Sequence, residues 1–417
     1  MKCLNNLTSD KNIPQLVSVH RKTERRLLSV FMALLEICPD IRSEFLKLCE
    51  FPSGATATYR SFMEVTYTGS KYNDARPDGL IGCKRGQTEW SAFIEAKADG
   101  NPIRGDQISN YLDLAAAADV DAVITFSNEF ARIPTAPPYH VDGKKLRSRK
   151  IFHFAWADVR TLLEVWSRTL KLNSTEQLVV KHCLDFLWSE VSGVRTFDAM
   201  PEQWPAFVEA ASTTLGFNAN TKGFVEIVDG WQQERRDLCS KLTRFTGINV
   251  ELRHKAGARA NDEMRTKVDR EDLADDYILS AEFRFPGDGL TLDVVADLRA
   301  CRTTCALQVP LPNEKGAKAC ATWLARNLAG LDGTDYSIHF DWPGRRADVK
   351  LPLREFLAEP LVVAEGQKAP PKGVYLQLGS HGVRNFKSRK KFVSDLESVV
   401  MLLMRFASEK SWVQLAT

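Results

Sequence analysis

Residues 77–111 read PDGLIGCKRGQTEWSAFIEAKADGNPIRGDQISNY, and the rest of the chain is best read outward from them. Pro77 to Cys83 starts a strand, KRGQTE is hairpin-turn chemistry, and Trp90 to Ala98 is the next strand. GNPIRG breaks it, and a helix follows from about Asp106 to Ala118. Glu95 and Lys97 stand two apart on the second strand, so their side chains share a face. Around them the strand is apolar: Ala92, Phe93, Ile94 and Ala96. An acid and a base in such a strand are costly to bury without partners. Sixteen residues separate Asp78 from Glu95, which places two carboxylates on adjacent strands beside a lysine. Hard oxygen ligands in that arrangement suit Mg²⁺, held by one or two carboxylates plus substrate phosphate.

Upstream, a helix is expected from Thr23 to Ile37, with Leu27, Leu28, Phe31, Leu34, Leu35 and Cys38 on one stripe and Pro39 ending it. Glu24 falls on the same stripe. Ser61 to Thr68 has the period of a strand, on which Glu64 is either a further acidic ligand or a solvent-facing residue. Downstream, Asp121 to Ser127 and Lys150 to Trp156 read as strands. Asp158 is expected to cap the next helix, and a last helix runs to about Glu190. This order makes one α/β unit over residues 1–195. Residues 196–417 read more coarsely as an α+β domain, with strands near 277–285, 290–298, 305–309, 336–342 and 374–378. Its helices are expected near 203–215, 228–246, 317–328 and 388–408.

Pro77-Asp78 followed by Glu95-Ala96-Lys97 resembles the PD-(D/E)xK nuclease superfamily. Gln107 and Tyr111, one helical turn apart after that strand, resemble the QxxxY motif of its RecB-like branch. The resemblance covers about Lys22 to Glu190. It implies a restriction-endonuclease-like core, a mixed central sheet flanked by helices, joined to the C-terminal α+β domain. It implies catalytic roles for Asp78, Glu95, Lys97, Gln107 and Tyr111, and a metal site of Asp78 and Glu95 with Glu24 from the first helix. The activity implied is metal-dependent hydrolysis of DNA phosphodiester bonds with Mg²⁺ or Mn²⁺, in restriction, phage defence or repair. An RNA nuclease, or a non-catalytic nucleic-acid- or protein-binding module on the same fold, remains the alternative.

Composition narrows the classes. The chain has 417 residues, 44% hydrophobic and 26% charged, which excludes a disordered chain or a fibrous rod. No stretch approaches a membrane span, and the first residues lack the apolar core of a signal peptide, so the expectation is a cytoplasmic protein. Nine scattered cysteines, an odd number, read as reduced thiols rather than a disulfide framework. No GxxxxGK, GxSxG or GxGxxG motif occurs, so any nucleotide-driven step needs a partner protein. Net charge is only +3, so local patches must decide about DNA. Basic segments lie at 143–150, 252–260 and 381–392. In the last, Arg384, Lys387, Arg389 and Lys390 are the candidate contacts to a phosphate backbone.

Overall fold

The computed structural model describes residues 7–9, 15–16, 20–51, 54, 57–67, 75–131, 133–146, 149–253, 262–286, 289–312, 316–331, 335–344, 348–367 and 369–413. The chain divides into two compact units, Met1–Phe197 and Asp198–Thr417. Among the described residues no helix is long and apolar enough to cross a membrane.

The first unit contains β1 (Leu7–Ser9), α1 (Thr23–Ile37), α2 (Pro39–Leu48), β2 (Thr58–Met63), β3 (Val65–Tyr67), β4 (Gly79–Arg85) and β5 (Thr88–Ala96). Then come α3 (Gly105–Ala118), β6 (Ala122–Ser127), α4 (Gly143–Leu146), β7 (Lys150–Ala155), α5 (Trp156–Thr169) and α6 (Ser174–Trp188). A five-stranded mixed sheet has the order β2-β4-β5-β6-β7. The first three strands pair antiparallel and the last three parallel. The antiparallel pair β4–β5 is closed by Gly86, whose φ of +60° only glycine adopts at no steric cost. The parallel step from β5 to β6 requires a crossover, which α3 supplies.

Strands β5 to β7 are buried on both faces, which is why they read as nearly continuous apolar runs. Ala92, Ile94, Ala96, Ala122, Ile124, Phe126, Phe152 and Phe154 join α1, α2, α5 and α6 in the main core. There Phe126 stacks on Trp156 with ring centroids 4.9 Å apart and meets Phe31 edge-on at 5.4 Å. The opposite face carries Phe93, Val123 and Ile151 in one row, packed with α3 residues.

Three local expectations change. The strand expected over 61–68 is broken at Glu64, which adopts φ +51° and separates β2 from β3. Its backbone N–H donates to the Asp78 carbonyl at 2.8 Å, and that of Val65 to the Pro77 carbonyl at 3.1 Å, so β3 leaves the sheet to brace the Asp78 segment. Pro39 ends α1 but also sits at the start of α2, where its missing N–H costs nothing. Asp158 lies inside the first turn of α5 rather than at its cap, because the helix begins directly at Trp156.

The second unit contains α7 (Trp204–Ser212), α8 (Phe224–Thr246), β8 (Glu251–Arg253), α9 (Asp262–Glu271), β9 (Ile278–Arg284), β10 (Thr291–Asp297) and β11 (Arg302–Gln308). It continues with α10 (Ala317–Leu328), β12 (Tyr336–Asp341), β13 (Val349–Pro352), α11 (Leu353–Ala358), β14 (Gly373–His381), α12 (Val383–Lys387) and α13 (Arg389–Glu409). Its seven-stranded sheet is antiparallel throughout, in the order β13-β12-β14-β11-β10-β9-β8. Strands β9 to β12 alternate buried and half-buried residues, with α8 packed on β9 and α13 on β11 and β14. The eight described cysteines are unbridged and buried.

The ring cluster around Phe126 is the test of the first core. Phe126→Ala should lower the stability of the unit that carries it by about 3–5 kcal/mol, as aromatic-to-alanine changes in closed cores do. Denaturant unfolding followed by circular dichroism reads this; a loss below about 1 kcal/mol would mean the ring is not packed as described.

Candidate active site

Gly79 pairs with Ile94 across the β4–β5 hairpin, so Asp78, one residue earlier, stands beside Glu95. Asp78 Oδ2 accepts from the Ala96 backbone N–H at 3.0 Å, which pins the aspartate to the end of β5. Glu95 is only 1% exposed. Its Oε1 accepts from the Lys97 ammonium and, at 2.8 Å, from Gln107 Nε2. Its Oε2 lies 2.9 Å from the Tyr111 hydroxyl. Gln107 Nε2 also donates to the Tyr111 oxygen at 3.0 Å, and that hydroxyl is 3.1 Å from the Arg76 carbonyl. One buried carboxylate is thus held by a cation on its own strand and by two neutral donors one turn apart on α3. The Lys97 backbone is fixed too: its N–H donates to the Phe126 carbonyl at 2.8 Å, and its carbonyl accepts from Trp156 Nε1 at 2.9 Å.

The electrostatics follow from burial. Desolvation, and then the neighbouring Glu95 charge, push the Asp78 carboxyl up to about 7; the Ala96 amide, Lys97 and Arg25 pull the other way. Burial alone would lower the Lys97 ammonium, but Glu95, Asp78 and Glu24 outweigh it and its pKa is raised. Burial, with the Glu95 charge, drives the Tyr111 phenol far up, so it stays a neutral donor.

Glu24 acts at longer range. Its charge reaches Lys97, but its carboxylate does not close with Asp78 and Glu95 into a set lying within 4.8 Å of one another, a separation met among the described residues only by Glu234, Asp237 and Glu397. The next residue, Arg25, pairs with Glu64 at 2.7 Å, and Arg76 lies 3.7 Å from the same oxygen. Glu64 is therefore tied to arginines.

The α3-facing side of the sheet holds a second row that the sequence does not announce. Glu95 pairs with Thr125, and Thr125 with His153, across the three parallel strands. His153 Nε2 is 2.8 Å from the Glu129 carbonyl, which can only accept, so the ring proton sits on Nε2. Nδ1 then accepts from the Thr125 hydroxyl at 2.8 Å, and Thr125 Oγ1 lies 2.7 Å from the Tyr139 hydroxyl. Burial holds the His153 imidazole down at about 4, neutral at physiological pH. These residues are far apart in sequence, and only strand register assembles them.

The basic segments are largely engaged within their own units. Lys387 pairs with Glu209, Lys390 lies 3.7 Å from Asp198, and Arg389 Nε donates to the Met200 carbonyl at 2.6 Å. The Met200 N–H returns a bond to the Arg389 carbonyl at 3.2 Å, which makes Arg389 a latch between 200 and α13. Arg384 is exposed. In the first segment Lys145 pairs with Asp113 and Lys150 with Glu50. Residues 147–148 and 254–260, from the first and second segments, lie outside the described residues.

No protein-family model, curated protein or solved structure matches this chain.

The Asp78 environment predicts a pH signature. An aspartate takes its proton near 3.8 when unfolded and at about 7 here, so folding loses stability through this group as pH rises from about 4 to about 7. Asp78→Asn keeps an oxygen for the Ala96 amide and removes the charge. It should raise stability at pH 8 by on the order of 3 kcal/mol, with the gain vanishing toward pH 4. Thermal or urea unfolding of variant and parent across that range checks this; a variant less stable than the parent at pH 8 contradicts it.

Proposed function

We propose that the first unit is a metal-dependent nuclease core of the PD-(D/E)xK type, with a restriction-endonuclease-like sheet, that hydrolyses phosphodiester bonds in DNA. The observation that carries this reading is the convergence on Glu95. Lys97, Gln107 and Tyr111 all bond it while Asp78 stands across the hairpin. A glutamate buried for structure alone is satisfied by its cation. It has no need of a second carboxylate whose ionisation it opposes.

The donor set fits a hard divalent ion. Asp78 and Glu95 offer oxygen only, and their mutual repulsion is what a cation relieves. They would hold Mg²⁺ or Mn²⁺, which when bound supplies Lewis acidity toward a phosphodiester and a water molecule. Lys97 brings an ammonium to the same face, where it can orient a water and stabilise negative charge developing on phosphate. Gln107 and Tyr111 fix the Glu95 rotamer, so the carboxylate presents the same oxygens each time. Glu24 contributes negative charge that acts on Lys97. A DNA strand reaching the second unit would meet Arg384 and Lys390, with Lys387 released from Glu209; Arg389 is structural. The setting we infer is restriction, phage defence or repair, with a partner protein for any energy-driven step.

The full chain with Mg²⁺ or Mn²⁺ should cleave DNA. Lys97→Met should lower the rate about 10²–10³-fold. It should not weaken metal affinity, because the change removes a positive charge from beside the cation. Asp78→Ala should lose both. Parallel incubation with DNA and RNA, together with metal titration by calorimetry, reads all three. Cleavage of RNA alone would assign an RNA nuclease. A Lys97→Met rate equal to the parent's, or metal-loaded protein inert toward both nucleic acids, leaves the non-catalytic module as the account.

A further inference from the structure

The second unit buries a group of acids that its fold does not explain. Glu234, Asp237 and Lys241 lie on one stripe of α8 and face Glu397 of α13. Lys241 Nζ bonds Asp237 Oδ2 at 2.6 Å and Glu397 Oε1 at 2.5 Å, which accounts for that pair. Glu234 is the anomaly. It is 0% exposed, and neither carboxylate oxygen has a hydrogen-bond partner. Burial, with the neighbouring Glu397 and Asp237 charges, raises the Glu234 carboxyl, so it is protonated unless a cation joins it; a bound ion is one of the few things that account for such an orphaned acid in a native fold.

Glu234 is aimed at the acidic pair. One ligand oxygen each from Glu234, Asp237 and Glu397 all lie within 4.8 Å of one another. Two metal–oxygen bonds span up to about 5.2 Å for Ca²⁺, which covers this separation, and about 4.2 Å for Mg²⁺, for which the oxygens would draw in by a few tenths of an ångström. We propose that Glu234, Asp237 and Glu397 form a binding site for a hard divalent cation between α8 and α13. The donor set is three carboxylates, without sulfur or imidazole, which selects Mg²⁺, Mn²⁺ or Ca²⁺ over softer ions. Lys241 bridges two of the three acids with one positive charge, so at least one negative charge is left for an ion to balance when all three are ionised. Since α8 packs on β9 and α13 on β11 and β14, the ion would tie together the two long helices that cover the sheet. This site is independent of the one at Asp78 and Glu95.

The probe is Tb³⁺, a hard oxygen-seeking ion whose luminescence is sensitised by a nearby indole. Trp231 lies three residues before Glu234 on the same helix. The full chain carrying Asp78→Asn, which removes one of the two carboxylate charges of the other site, is titrated with Tb³⁺ under tryptophan excitation, then with Mn²⁺ or Ca²⁺ as competitor. Saturable emission displaced by the competitor is expected. Adding Glu234→Gln should weaken binding at least tenfold, and Mn²⁺ should raise the melting temperature of the Asp78→Asn parent but not of this double variant. Should Glu234→Gln fail to fold, Glu397→Gln, at the more exposed end of the site, must show the same loss. Equal binding with and without Glu234→Gln, or no saturable binding in the parent, overturns the proposal and leaves Glu234 as a protonated core acid.

Discussion

The Glu95 carboxylate, buried near the end of an apolar strand, is the constraint on which the first unit depends. Leaving it without partners would cost several kcal/mol, comparable with the net stability of a domain. Lys97 at the end of β5 and Gln107 and Tyr111 on α3 are therefore bound to one point, while Asp78 at the entry to β4 is pinned beside it by the Ala96 amide. A slip of the hairpin by one residue would turn Glu95 and Lys97 into the ring cluster around Phe126 and bring Ile94 out to α3. The register that packs the core is thus the register that assembles the polar site.

The same arrangement works against stability at Asp78. Its carboxyl is held high by burial and by Glu95, so ionising it at neutral pH strains the fold. Structure alone would favour a neutral side chain there. Stability given up at a particular place is the usual mark of a functional site. β3 and the left-handed Glu64 support the Asp78 segment through two backbone bonds, so the geometry is maintained against that repulsion.

Much of this was legible in the sequence because it is written in local patterns. The apolar stripe and Pro39 mark α1 from Thr23 to Ile37, and short apolar runs bounded by turn chemistry mark β4 to β7. The spacing of Asp78, Glu95 and Lys97 across a short turn puts them on one face by strand alternation alone. The i, i+4 spacing of Gln107 and Tyr111 puts them on one side of α3. What was not legible depends on tertiary context. A non-glycine residue at positive φ, such as Glu64, leaves no local signature. Pro39 reads as a stop although it also begins α2. Thr125, His153 and Tyr139 meet only through sheet register, as do Lys387 and Glu209 through packing. In the second unit a helix over 228–246 was legible, but the burial of Glu234 on it was not, because a charge on a helix reads by default as solvent-facing.

The central claim is that Asp78 and Glu95 form one metal centre. Anomalous diffraction at the manganese edge, on crystals of the full chain grown with saturating Mn²⁺, tests it most directly. The account predicts a peak about 2.0–2.3 Å from a carboxylate oxygen of both Asp78 and Glu95, with Lys97 Nζ on the same side of the sheet. Carboxylates more than about 8 Å apart, or no anomalous peak between them at saturation, would contradict it.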